Sequence, residues 1–290
     1  MDGDGGIRIV RARGIGLACL EQGQGPLVLC LHGFPDTAHS FEPLLARLAQ
    51  DGYHAVAPFL RGWLPSGLAA DGDYRITTIA DDVVELIGAL GARRAHLIGH
   101  DWGAVASYIA AARHPDRVGA VVTAAVPHLR RFLLRPTLRQ LHRSRYMGFF
   151  QLPRIPERRI AAHDFAWLRR LVREWSPRWG FTDADLAPVV ASLAIPERRA
   201  AALAYYRSLP RVLADPRNWP ALLRPLPVPA KVIWGADDGC IGAEMFEDQA
   251  HCFGAGYVPV RIDGAGHFMH REQPGRFADE VAAFLARHPI

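Results

Sequence analysis

Short apolar runs bounded by Gly, Pro or Asp punctuate the first half of the chain: Ile7–Val10, Ile15–Leu20, Leu27–Leu31, His54–Pro58, Ala95–Gly99 and Val118–Ala125. Runs of that length between such breakers predict buried strands. Between several of them, at Phe41–Asp51 and Ile79–Leu90, the apolar positions switch to a helical period, so strand and helix alternate as in parallel α/β folds. From about His128 to Trp219 the strand signal stops. Arg-rich amphipathic stretches (Ile160–Glu174, Ile195–Leu209), broken by prolines at 153, 156, 177, 188 and 210, predict a helical insertion there. After Pro225–Pro229 the β/α pattern resumes with a strand at Ala230–Trp234, a helix near Ala243–Phe253, a strand at Val258–Ile262 and a helix at Gly275–Arg287. The expected architecture is an α/β core, residues 1–127 and 220–290, interrupted by an all-helical unit, 128–219. Such a unit is well placed to cover a site at the carboxyl ends of parallel strands.

Composition narrows the function classes. Half of the 290 residues are apolar, enough for a sizeable core without disulfide staples. The four cysteines (Cys19, Cys30, Cys240, Cys252) form no C-x-x-C pair, and two lie inside strand-like runs, so core thiols are expected and zinc is not. The stretch Met1–Gly6 is acidic and Gly-rich, unlike a secretory leader, and no apolar run approaches the ~18–20 residues of a membrane span. A cytoplasmic location is the expectation. The formal charge of +5 is carried almost wholly by arginine, with Lys231 the single lysine. Between His128 and Arg211 lie 17 arginines and six acidic residues, so the insertion is basic and the remainder is net acidic. With no reader motif and no basic tail, nucleic acid is not expected as a partner.

The segment Ala95-His-Leu-Ile-Gly99-His100-Asp101-Trp102-Gly103-Ala104 carries the most chemistry. An apolar strand runs into small-x-Asp-x-small and then into a helical pattern, the form of a nucleophile elbow, with a carboxylate as its central side chain. The partners expected in that topology follow in order, an acid and then a histidine after late strands. Asp237 and Asp238 follow the strand Lys231–Gly235, and either could orient the base. His267, flanked by Gly266 and Phe268, is the candidate base, whereas His270 lacks a third ligand at a metal-like spacing and reads as structural. The loop His32-Gly33-Phe34-Pro35-Asp36 can turn the Phe34 amide toward the elbow, forming an oxyanion hole with the Trp102 amide.

Together, His32–Pro35, Gly99–Gly103, Gly235-x-x-Asp238 and Gly266-His267-Phe268 resemble the α/β-hydrolase-fold epoxide hydrolases and their haloalkane dehalogenase relatives. The resemblance spans nearly the whole chain. It implies a mostly parallel sheet flanked by helices with an inserted helical cap, and its spacing selects Asp238 over Asp237. It also implies two lid tyrosines that hydrogen-bond the epoxide oxygen. Tyr146 fits the Tyr-x-x-aromatic-Phe-Gln-x-Pro pattern running to Pro153, and Tyr206 fits aromatic-Tyr-Arg, with Tyr205 reading as packing. The chain departs from the family around Phe59-Leu-Arg61-Gly62, where an Asp commonly precedes.

The implied reaction opens an organic epoxide to a vicinal diol through an ester on Asp101, which His267-activated water then hydrolyses, with no cofactor or metal. Phe34, Trp102, Phe149 and Phe150 imply an apolar substrate pocket. The rival reading from the same elbow is a haloalkane or haloacid dehalogenase, favoured by Trp102 but lacking a second halide donor at Phe34. A ligand-binding protein without turnover ranks behind both, because no member of the Asp101, Asp238, His267 set is missing. Whether the chain forms a homodimer is left open.

Overall fold

The computed structural model describes residues 6–290, so the acidic start at Met1–Gly5 lies outside it. Eight strands form one sheet in the order β1-β2-β4-β3-β5-β6-β7-β8: β1 Arg8–Ala12, β2 Ile15–Gln22, β3 Leu27–Leu31, β4 His54–Pro58, β5 Ala95–His100, β6 Val118–Ala124, β7 Ala230–Gly235 and β8 Tyr257–Ile262. The β1/β2 and β2/β4 pairs are antiparallel and every later pair is parallel. Strands β3, β5 and β6 are buried along their whole length, which is why they read as unbroken apolar runs rather than alternating ones. Helices cover both faces of the sheet. Helix α1 (Glu42–Gln50) packs beside the last helix of the chain, and α2 (Ile76–Ala89) beside α3 (Trp102–Arg113).

Between β6 and β7 the described chain is helical: α4 Leu129–Leu134, α5 Leu138–Arg143, α6 Arg145–Phe149, α7 Ile155–Ala161, α8 Ala166–Trp175, α9 Asp183–Ala194, α10 Pro196–Ala214 and α11 Trp219–Leu223. The chain ends on α12 (Met269–Glu272) and α13 (Pro274–Leu285). Helix α8 buries Leu168, Leu171, Val172 and Trp175 along one face, as its amphipathic pattern requires. A capping box at Thr182 and Asp185 starts α9. Asp185 also receives Arg271 from α12 at 2.8 Å, joining the helical segment to the core.

Two expected elements differ. The amphipathic stretch Ile160–Glu174 is not one helix, because His163, Asp164 and Phe165 all take positive φ and turn the chain between α7 and α8. The expected helix at Ala243–Phe253 is two short 3-10 turns, Ala243–Phe246 and Ala250–Cys252. Asp248 between them has a φ of 53°, and Phe246 leaves the helical path to stack on Trp234 with centroids 4.9 Å apart. Tertiary contacts therefore override a pattern that fits helical spacing.

Candidate active site

Asp101 sits between β5 and α3 with φ 50° and ψ −116°, a backbone conformation that is costly for a residue with a side chain. Two glycines make the turn sterically feasible. A Cβ on Gly103 would overlap the Leu31 carbonyl, and one on Gly33 would overlap the Asp101 carboxylate. The Phe34 amide donates to Asp101 Oδ1 at 2.7 Å. The Trp102 nitrogen borders the same point, 2.7 Å from where a Gly33 Cβ would stand, but makes no hydrogen bond among the described residues. One carboxylate oxygen is thus held by backbone. The other, Oδ2, lies 3.7 Å from His267 Nε2.

His267 is fully buried on the loop between β8 and α12. Its Nδ1 meets Asp238 Oδ2 at 2.9 Å, while Asp238 Oδ1 accepts the amides of Cys240 and Ile241 at 2.7 and 2.9 Å. Those amides lock the carboxylate against rotation. Asp237 points elsewhere and pairs with Arg178 at 2.7 Å. Burial disfavours the imidazolium, yet the adjacent Asp238 and Asp101 carboxylates outweigh it and push His267 up to about 10.

Tyr146 and Tyr206 come from α6 and α10 and touch with ring centroids 5.8 Å apart. Burial pushes both phenols well above their ordinary value, and the negative field of Asp101 adds to it. The Tyr206 hydroxyl has no hydrogen-bond partner among the described residues, whereas Tyr146 meets Cys240 Sγ at 3.6 Å. Motif neighbours of the two tyrosines bond across the segments: Gln151 Nε2 donates to the Tyr206 carbonyl at 3.0 Å, and Arg207 Nε donates to the Phe150 carbonyl at 2.9 Å. Tyr205, on the neighbouring face of α10, donates instead to the Arg61 carbonyl at 2.8 Å. Arg61 is itself gripped by Asp82 through two bonds of 2.6 Å, both side chains buried.

Phe34, Trp102 and Phe150 surround Tyr206 with centroids 5.5, 4.8 and 4.9 Å away. Phe150 is fully buried behind Tyr206, while Phe149 faces a cleft on the outer side. One group at the site went unread in the sequence, and another was expected only as a core thiol. Trp175 stacks edge-on to His267 at 4.9 Å, and its carbonyl accepts the amides of both Gly239 and His267 at 3.0 Å, so the end of α8 ties the two loops together. Cys240 faces Tyr146, and burial pushes its thiol well above the ordinary value, which keeps it out of nucleophilic chemistry.

Asp36, His100 and His270 also gather behind the site, all buried, with possible ligand atoms within 4.8 Å of one another. This is the one such group among the described residues, and sequence spacing alone did not reveal it. Asp36 Oδ2 is occupied by His270 Nε2 at 3.2 Å, and His100 Nε2 by the His267 carbonyl at 3.0 Å. Protein bonds thus tie the cluster to the His267 loop, and the third potential ligand that the sequence spacing around His270 did not offer comes from residues distant in the chain, Asp36 and His100.

The α/β hydrolase fold family matches residues 26–274. The chain is similar to epoxide hydrolase A of Mycobacterium tuberculosis, 30% identical over 96% of this chain and 96% of the relative. The chain belongs to the α/β-hydrolase-fold epoxide hydrolases. Epoxide hydrolase 3 of Xenopus tropicalis is also 30% identical, over 90% of this chain and 72% of its own length. Among solved structures, the Bacillus megaterium epoxide hydrolase in complex with an inhibitor superposes with a TM-score of 0.83 at 26% identity, covering 96% of this chain and 100% of that one. No helix of this family member is long and apolar enough to cross a membrane among the described residues.

Proposed function

We infer that this enzyme hydrolyses organic epoxides to vicinal diols. The observation that carries the reading is the pair of neutral phenols, Tyr146 and Tyr206, set against the carboxylate on the elbow, one of them with a hydroxyl that no protein group occupies. In the reading, Asp101 Oδ2 attacks one ring carbon, the carbon–oxygen bond breaks, and a tyrosine donates its proton to the departing oxygen. The resulting ester keeps Asp101 Oδ1 as its carbonyl oxygen, already on the Phe34 amide and beside that of Trp102. Water attacks the ester carbonyl with His267 as base and Asp238 as its orienter, and the diol departs.

The charge logic supports this order of events. His267 is held protonated by two carboxylates, and alkylation of Asp101 removes one of the two charges. The imidazole becomes a base only once the ester exists. The proton it gives up balances the one the tyrosine has donated.

We further propose that residues 128–219 act as a lid on a core of 1–127 and 220–290, since both phenols come from that segment and the nucleophile set does not. The four cysteines are free and buried, which supports a reducing, cytoplasmic setting. The substrates of the reading are a small organic epoxide and water, and light scattering distinguishes monomer from homodimer. The test is to assay aryl and alkyl epoxides for diol with the wild type, Asp101→Asn and Tyr146→Phe/Tyr206→Phe. Diol formation retained in Asp101→Asn, with deamidation excluded by mass, overturns the covalent step. One observation favours a second reading: the Trp102 indole N–H is buried without a protein partner and could hold a halide. Halide release from haloalkanes without diol formation from any epoxide would select that reading.

A further inference from the structure

Large apolar side chains left in water are not spread evenly over this molecule. Of the twelve on the described surface, five lie between residues 134 and 155: Leu134, Leu138, Leu141, Leu152 and Ile155. Leu138 is 86% exposed, more than any of the others. The same stretch is free of negative charge. From His128 to Pro156 the chain carries seven arginines and no acidic residue. Arg143 approaches Glu244 at 3.4 Å, but Arg135, Arg139, Arg145 and Arg154 are exposed and, among the described residues, enter no ion pair.

The fold turns these residues outward together. Helices α4 and α5 converge on Glu244, where Arg131 Nη2 donates to its carbonyl at 2.9 Å and Thr137 Oγ1 to its Oε1 at 3.4 Å. Gln140 is buried on the inner side of α5, donating to the Cys240 carbonyl and accepting the Gly242 amide, each at 3.0 Å. Leu138 and Leu141, three residues apart, therefore share the outer side of that helix. Leu134 stands just before them at the end of α4, and Arg145 and Ile155 border one cleft, which brings the later part of the stretch beside α6.

Aliphatic side chains among unpaired arginines match the boundary of an anionic bilayer, where apolar groups enter the acyl region and guanidinium groups meet lipid phosphates. We propose that this face of the helical segment docks on an anionic lipid membrane, with Leu134, Leu138 and Leu141 inserted and Arg135 and Arg139 on the headgroups. Charge selects this partner over a second copy of the chain, since two such faces would set seven arginines against seven. The exposed side chains are aliphatic, whereas single-stranded nucleic acid is held by aromatic stacking. In the cytoplasmic setting proposed above, the facing leaflet is the anionic one. The contact is peripheral and reversible, and it is independent of the reaction at Asp101.

The experiment sediments the full chain at low salt with vesicles of phosphatidylcholine alone, or of phosphatidylcholine with about one-third phosphatidylglycerol. The wild type is expected to pellet with the anionic vesicles only and to be released as added salt screens the arginines. Leu138→Ser/Leu141→Ser is expected to weaken binding about tenfold and Arg135→Gln/Arg139→Gln about 20-fold, both with Tm unchanged because all four side chains are exposed. Arg93→Gln/Arg287→Gln removes the same charge at the end of the sheet away from the elbow and is expected to bind as the wild type does. Wild type that stays in the supernatant with anionic vesicles overturns the proposal, as does an equal loss in the Arg93/Arg287 variant. Undiminished binding by Leu138→Ser/Leu141→Ser overturns it in favour of adsorption by charge alone. Light scattering without lipid is expected to give the wild type and the leucine variant the same mass; a dimer that the leucine substitutions dissociate assigns the face to a second copy and overturns the membrane contact.

Discussion

Tyr205 and Tyr206 provide an internal control that separates chemistry from architecture. They are adjacent on α10 and each is only 1% exposed, yet the Tyr205 hydroxyl donates to the Arg61 carbonyl at 2.8 Å and that of Tyr206 has no protein partner. Removing the Tyr205 hydroxyl leaves a buried carbonyl without its donor, which costs about 1–3 kcal/mol. At roughly 2 °C per kcal/mol for a chain of this size, Tyr205→Phe is expected to lower Tm by about 2–6 °C. Removing the Tyr206 hydroxyl breaks no protein bond, so Tm is expected to stay or rise by up to about 2 °C. The kinetic effects run the other way. Tyr206→Phe removes one of the two donors to the departing oxygen and is expected to lower kcat about 100-fold, about 2.7 kcal/mol of barrier. Tyr205→Phe is expected to remain within a few-fold of wild type. Calorimetry and chromatographic diol assays on the two single variants decide the matter. A Tyr206→Phe protein that melts lower than Tyr205→Phe, or that keeps kcat within threefold of wild type, refutes the assignment of Tyr206 to the chemistry.

Three further outcomes follow from the same geometry. His267→Gln is expected to complete ring opening but not ester hydrolysis, so intact-protein mass spectrometry after one turnover should find the chain heavier by one substrate; an unmodified mass counts against the ester. The His267 imidazolium is favoured by folding, with a value of about 10 against an ordinary 6.5, so its stabilising contribution is complete below pH 6.5 and fades as pH rises toward 10. The Tm difference between wild type and His267→Gln is therefore expected to shrink across that window, and a difference that grows with pH reverses the sign. Asp82→Ala strands the buried Arg61 guanidinium and is expected to cost about 3–5 kcal/mol by denaturant unfolding, whereas a loss under 1 kcal/mol would show the pair to be dispensable.

What the sequence made legible was local. The strand, the small residues flanking Asp101 and the start of α3 are contiguous, so the elbow can be read from ten residues, and Gly266-His267 after a late strand announces a loop in the same way, although the structure buries the ring completely rather than exposing it. Gln151 and Arg207 were visible as parts of two motifs, but their bonds to Tyr206 and Phe150 join segments distant in the chain and carry no periodic signal. Trp175 reads as one more apolar position on α8. Its second function, accepting the Gly239 and His267 amides, depends on where that helix ends against the core. The Asp36–His100–His270 cluster escaped for a related reason, since its members come from a loop, the end of β5 and the short helix α12. The helix expected at Ala243–Phe253 failed where Gln249 turns aside to accept the His128 amide at 2.8 Å and donate to Tyr257 at 2.9 Å.

The crowding around the elbow has a consequence for reading mutational scans. At Gly33 and Gly103 any side chain collides with backbone or with Asp101 itself, so substitution there removes soluble protein along with turnover. At position 101 the reverse holds: the native side chain bears the strain, and replacing it with glycine relieves about 1–3 kcal/mol while abolishing the reaction. A survival screen scores all three positions as equally intolerant. Counting abundance beside activity splits them into two architectural positions and one chemical one, and the most abundant dead variants in such a library mark the reacting carboxylate.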